Sequence, residues 1–165
     1  MTEPVWVPQK PLKTREVVAT SLPVDLATDT WRTMLRLPLR VMPGDVLYVD
    51  ASARVTNDCG YTIGCGWHPW AYNVDKGGSA GPWWRIGPSY GDNVDKARHH
   101  LPLSLTTVYD VPDDWPVDPD TGEGDRICIA LRADAHSTAA VSGDKLTVDT
   151  GMGELIVTRW AKTYP

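Results

Sequence analysis

Gly87-Pro88-Ser89-Tyr90-Gly91 has the G-x-S-x-G spacing of a nucleophile elbow, and Asp110 and His136 follow in the order an α/β-hydrolase triad takes. That chemistry needs a strand before the serine, a helix after it and parallel strands around it. Trp83–Ile86 offers the strand. Asn93–His100 makes a poor helix, and no strand–helix alternation surrounds the motif. A serine hydrolase acting through Ser89 is therefore the least favoured of three readings. His99-His100 invites a metal, yet neighbours on a strand point to opposite faces and no Cys or carboxylate stands at ligand spacing. These two, with His68 and His136, are expected to be packed or interface histidines. Asp118-Pro119-Asp120-Thr121-Gly122-Glu123-Gly124-Asp125 resembles a calcium loop until its fifth and sixth positions. Those hold Gly122 and Glu123 where an EF-hand needs a ligand and then a glycine. The chain has no Walker loop, HExxH, CxxC pair or complete Rossmann fingerprint, so neither cofactor nor metal is expected.

The aromatic residues carry the other candidate chemistry. Eight Trp and six Tyr stand beside no Phe, so every aromatic has a polar handle. Trp67, Trp70, Trp83, Trp84 and Tyr90 crowd one segment with Asn73, Asp75, Asp92 and Asn93. Rings beside amides and carboxylates suit a glycan, stacking on the sugar face and bonding its hydroxyls. The same rings equally suit a core or a subunit interface.

Two strands must position these groups. Gly44-Asp45 opens a run in which Leu47, Val49, Ala51, Ala53 and Val55 alternate with Tyr48, Asp50, Ser52 and Arg54. Gly124-Asp125 opens another in which Ile127, Ile129, Leu131, Ala133 and Ala135 alternate with Arg126, Cys128, Ala130, Arg132 and Asp134. Period-two alternation means a strand with one face on a core. Trp31 through Val41 and Leu101 through Tyr109 alternate likewise, and Pro38 places the former at an edge or a bulge. Leu146–Val148 and Leu155–Val157 flank Asp149–Gly153 as a hairpin would. Residues 57–100 read as a long irregular stretch with short strands at Tyr61–Ile63 and Trp83–Ile86, and 110–125 as an acidic, Pro-rich loop. No window carries a helical period. Residues 1–28, broken by Pro4, Pro8, Pro11 and Pro23, read as an extended N-terminal arm, with Val5, Trp6 and Val7 as its docking strand. Residues 29–165 form one all-β, antiparallel β-sandwich domain.

Composition narrows the partners. The net charge of −5 gives no electrostatic footprint for nucleic acid or an anionic membrane, and no apolar run is long enough to span a bilayer. Met1-Thr2-Glu3-Pro4 lacks the basic and apolar regions of a secretory leader, so a cytosolic site of synthesis is expected. Three cysteines are an odd number. Free thiols are expected in a reducing compartment, although Cys59 and Cys65 are close enough in sequence to pair across a turn.

The C-terminal two thirds resembles the C1q/TNF-type jelly roll. The residues concerned are Leu101-Pro102-Leu103-Ser104-Leu105, Gly124-Asp125-Arg126-Ile127, Lys145-Leu146-Thr147-Val148-Asp149 and Gly153-Glu154-Leu155-Ile156-Val157. The resemblance implies a jelly roll and a compact homotrimer packed through aromatic and aliphatic faces. The chain is also similar to accessory structural proteins of tailed phages that infect high-GC actinobacteria. That likeness runs through Trp83-Trp84-Arg85-Ile86-Gly87-Pro88, His99-His100-Leu101-Pro102-Leu103 and Ala133-Asp134-Ala135-His136-Ser137-Thr138-Ala139. It implies a non-enzymatic virion protein that decorates or cements a phage capsid, bound to itself and to major capsid or tail proteins. The alternative is a minor tail or tail-tip protein that binds host cell-surface glycan.

Overall fold

The computed structural model describes residues 12–17, 22–25, 31–77, 82–88, 90–141, 143–149 and 153–162. These hold strands β1 (Leu12–Val17), β2 (Leu22–Asp25), β3 (Arg32–Arg40), β4 (Val46–Asn57), β5 (Ile63–Asn73), β6 (Trp84–Arg85), β7 (Tyr90–Val94), β8 (Leu101–Asp110), β9 (Arg126–His136), β10 (Lys145–Val148) and β11 (Glu154–Trp160), with a single-turn helix α1 (Val74–Gly77) after β5.

Two antiparallel sheets result. In sheet A, β4 pairs along its length with β8 on one side, Leu47 opposite Tyr109 and Ala53 opposite Leu103. On its other side β4 pairs first with β11 and then with β10, both running the same way. β10 and β11 are thus one broken row, and β1 and β2 form a second broken row against them. Sheet A reads β1/β2, β11/β10, β4, β8. Sheet B reads β3, β9, β5, and then β7 and β6 end to end. Four rows face four rows in the strand order of a jelly-roll sandwich.

The two Gly-Asp strands, β4 and β9, are interior rows of opposite sheets. Leu47, Val49, Ala51, Ala53 and Val55 are buried on one inner face, and Ile127, Ile129, Leu131, Ala133 and Ala135 on the other. Their turns lie at the same end of the sandwich. Gly44 has φ +72°, where a side chain is strained. Gly124 instead lies so close to Val41 that an added Cβ would stand 1.8 Å from its carbonyl oxygen. Asp45 is buried beside them. Its carboxylate accepts from Arg159 Nε (2.6 Å), the Met42 amide (2.7 Å) and the Lys162 amide (3.2 Å), which fastens the end of β11 to the start of β4. The acidic loop after β8 closes this end. Trp115 is buried, and its indole N–H donates to the Asp125 carbonyl (3.1 Å).

Several sequence expectations need correction here. Asp149–Gly153 does not turn a hairpin, because β10 and β11 both pair with β4 in one direction and not with each other. The supposedly irregular 57–100 contains β5, an eleven-residue interior strand. Of the segment read as an arm, residues 12–17 and 22–25 supply the outer row of sheet A, and Pro23 sits in that row opposite Thr147. Val5, Trp6 and Val7 lie outside the described residues. Pro38 does lie on an edge strand, since among the described residues β3 pairs only with β9.

Asp45→Ala leaves the half-buried Arg159 guanidinium without its carboxylate and should cost about 3 kcal/mol, as breaking buried ion pairs does. Gly124→Ala forces the backbone off Val41 and should cost about 1–3 kcal/mol. Urea unfolding of both variants beside the parent checks these values.

Candidate functional site

The described inner faces are packed apart from a hollow of about 240 Å³ between the sheet edges, lined by Cys65, Trp67, Tyr90, Leu103 and Ser104. On the outer face of sheet B, even-numbered β5 residues alternate with the buried odd ones, and His68, Trp70 and Tyr72 project there. Trp31 reaches the same face because β3 carries a bulge between Thr33 and Leu35. The bulge buries Met34 and Leu35 together and reverses the phase of everything before it. Trp83, just before β6, packs edge-on against Tyr72, with ring centroids 4.3 Å apart.

Two guanidiniums intercalate among these rings. Arg85 lies over Trp31 (5.5 Å) and Trp70 (5.3 Å), and Arg132 of β9 lies over Trp70 (5.1 Å) and Trp83 (4.9 Å). Trp31 completes the stack edge-on to His68 at 4.2 Å. Such contacts contribute about 0.5–2 kcal/mol each, most where water is excluded. Arg132 also donates from Nη2 to the Trp31 carbonyl (3.1 Å), and burial lowers its pKa. Burial holds the His68 pKa below its usual value and the Arg85 charge adds to this, while Asp134 opposes both. The ring is therefore neutral at neutral pH. Beneath the stack, Cys128 is buried against Tyr72, and burial raises its thiol pKa.

Beside the stack lies an open hollow of about 460 Å³. Its floor is Gly64, Gly66 and Gly91, and His68, Asp134, His136 and Asn93 stand around it. The glycines make the hollow. A Cβ on Gly66 would meet Asp134 Oδ1 at 2.0 Å, and one on Gly64 would meet His136 Nε2 at 2.6 Å. Among the described residues no group of three or more His, Cys, Asp or Glu is placed to hold a metal ion.

The aromatic cluster read from the sequence divides between two environments. Trp70 and Trp83 join the outer stack. Trp67 is only 1% exposed and faces the core, so its ring is closed to any outside ligand. Trp84 also turns inward, where it packs edge-on to Trp115 and donates to the Tyr109 hydroxyl (3.2 Å). Tyr90 packs against the core and donates to the Thr106 carbonyl (3.1 Å). Sequence reasoning missed Trp31, Tyr72, Arg85, Arg132 and His68 as neighbours. Arg132 was legible as an outward residue of β9, but Trp31 depended on the bulge.

The other candidates resolve structurally. Ser89 lies outside the described residues. Asp110 ends β8 next to the start of β4, while His136 ends β9 ten residues beyond Arg126, about 33 Å along the strand from the end that carries the Gly124 turn. The two stand at opposite ends of the sandwich and do not belong to one triad. His100 Nδ1 meets Asp149 at 2.9 Å, and the His99 and His100 rings are 6.3 Å apart. Asp118 accepts from the amides of Asp120 (2.8 Å) and Thr121 (3.3 Å), which lowers its pKa and leaves the loop a self-closed turn. All three cysteines are free, and burial pushes the Cys65 thiol up to about 12.

No family model matches the chain, and no curated protein does. Solved structures do. The structure of infectious bursal disease virus strain Gx matches 95% of this chain and 35% of its own, at 14% identity and TM-score 0.60. The T13 particle of the same virus matches 91% and 31%, at 12% identity and TM-score 0.54. Its VP2 subviral particle matches 96% and 34%, at 11% identity and TM-score 0.51. The chain thus spans about a third of the length of the structures it matches. At these identities the likeness is one of fold: a jelly-roll sandwich also found in virus-particle proteins.

Trp67→Ala should destabilise the fold by about 3–5 kcal/mol, as a deleted core aromatic does. Trp70→Ala should cost about 1–3 kcal/mol through its two guanidinium contacts. Denaturant titration separates the two. A neutral buried His68 also makes stability depend on pH. Its folded pKa lies below the unfolded value, so the unfolded chain takes up the proton first and stability falls as pH drops from 7 towards 5. That fall should be smaller in His68→Phe, read as thermal midpoints across the range.

Proposed function

We propose that this chain is a non-enzymatic structural component of a virus particle, and that it decorates or cements the head of a tailed phage. The observation that carries the reading is the complete two-sheet jelly roll, aligned over 95% of the chain with a virus-particle structure at TM-score 0.60. The interior is spent on packing and the broad outer faces remain for neighbours, which suits a part whose work is contact. Copies associate as a homotrimer through aromatic and aliphatic surface, as the C1q-like pattern implies. Val5, Trp6 and Val7 join a neighbouring capsid chain by adding a strand to its sheet. The protein is made in the host bacterial cytoplasm and ends in the virion.

The geometry weighs against the glycan-binding tail alternative. A sugar stacking on Trp70 or Trp83 competes with guanidiniums that already lie over those rings.

Deleting residues 1–11 removes the docking strand and leaves β1 in place. The truncated protein should keep its thermal midpoint and its mass of three copies by light scattering, yet fail to join particles assembled with it. Unimpaired joining would remove the arm from the mechanism, and a mass other than three copies would remove the trimer.

A further inference from the structure

We infer that the glycine-floored hollow on the outer face of sheet B is a binding site for a guanidinium group, with Asp134 and Asp92 as the anions that receive it. This does not rest on the proposed place in a virion.

Strand register builds the hollow. Gly64 lies between His136 of β9 and Asn93 of β7, and Gly66 lies between Asp134 of β9 and Gly91 of β7. Partnered residues of neighbouring strands share a face, so β5 is bare backbone here, with side chains to either side. Asp134 and His136 wall one side, and Asn93 and Asp92 the other. His68, edge-on to Trp31, closes the end toward the stack. The volume of about 460 Å³ admits a guanidinium fork and the stem behind it.

The polar groups around this floor lack partners among the described residues. The Asp134 carboxylate makes no hydrogen bond or ion pair there, and its Oδ1 is buried. His68 is only 6% exposed, and neither of its ring nitrogens is hydrogen-bonded among the described residues. Its Nε2 points over the floor, 3.3 Å from where a Gly66 Cβ would stand. Carboxylates withdrawn from water elsewhere are met. Asp45 takes three donors, and Asp149 takes His100 and Thr56. A desolvated polar group left open costs stability, so a hollow that keeps two of them awaits a partner from outside.

The sign and shape of that partner follow from the lining. It holds two carboxylates and no Lys or Arg, and His68 is neutral. The guanidiniums of Arg85 and Arg132 are held over the Trp31, Trp70 and Trp83 rings and take no part in it. The occupant is therefore cationic and brings N–H donors. A planar fork meets a carboxylate with two parallel bonds, which an ammonium does not. It also lies flat on glycine backbone, where a side chain would hold it off. His68 and the Asn93 carbonyl accept its remaining N–H groups. The group arrives on a free small molecule or on an arginine of a neighbouring protein chain, with the same chemistry in both cases.

The test is titration of the full chain with methylguanidinium at constant ionic strength, read from the amide NMR signals of Gly64, Gly66 and Gly91. These should shift together and saturate, with a dissociation constant on the order of millimolar. Asp134→Asn keeps the shape and removes the charge, and should weaken binding about tenfold. Asp92→Asn, at an exposed position that does not endanger folding, should weaken it about threefold. Tetramethylammonium, a cation without N–H groups, should leave the signals in place. A blocked tripeptide with arginine at its centre and agmatine then separate the sources. Tighter binding of the peptide assigns the site to a neighbouring chain, and tighter binding of agmatine to a free small molecule. The inference is overturned by the absence of a saturable shift, by binding unchanged in both variants, or by an equal response to tetramethylammonium. Saturable shifts with methyl glucoside and none with methylguanidinium would overturn it in favour of a polyol.

Discussion

The inner faces of β4 and β9 have to meet. Each carries five small or aliphatic residues in strict alternation, and all ten are buried. An apolar face of that length is stable only when another covers it, which places the two strands inside opposite sheets. The remaining rows satisfy the backbone groups those strands leave open to either side. Alanines in the second half of each strand let the sheets approach, and the wide Trp67 ring fills the space beside them. The buried Asp45 and the tight Gly124 turn fasten one end of both strands. The loop carrying Trp115 seals that end.

Filling the interior moves every functional possibility outward. Among the described residues, one hollow lies beside the outer stack and another opens between the sheet edges at Trp67, Tyr90 and Leu103. On the outer face of sheet B two guanidiniums lie over the rings, while Trp70 Nε1, His68 Nδ1, Arg132 Nε and Asp134 Oδ1 are buried without a hydrogen-bond partner among the described residues. Arg132 loses solvation there and is compensated by two indoles and a carbonyl rather than by a carboxylate. The edges of the sheets differ more than their faces do. β3 carries three arginines and a proline, whereas β8 has Pro102 and no charge before Asp110.

Much of the architecture was legible because period-two alternation survives wherever one face is dry and the other wet. β3, β4, β8 and β9 show that pattern and were read with nearly their observed bounds. β5 defeated the same reading. Its outward face holds Gly64, Gly66, Trp70 and Tyr72, which are small or aromatic rather than charged, so neither face looks wet. The broken rows defeated it too. A Gly-rich interruption between two apolar triplets looks like a hairpin whether the chain reverses or continues, and only the pairing of β10 and β11 with β4 distinguishes the cases.

The candidate site was legible in residue type and not in arrangement. The sequence by itself determined an all-β chain, the two Gly-Asp strands, their inward residues and a surplus of tryptophan in one segment. Those follow from local pattern, which needs no partner to be read. Tertiary structure decided that Trp67 faces the core while Trp70 faces out, and that one extra residue at Thr33–Leu35 swings Trp31 onto the outer stack. It also placed Asp110 and His136 at opposite ends of the sandwich. Each of these depends on which strands pair and in what register. That is set by the whole chain burying its apolar faces at once, and no single segment carries the information.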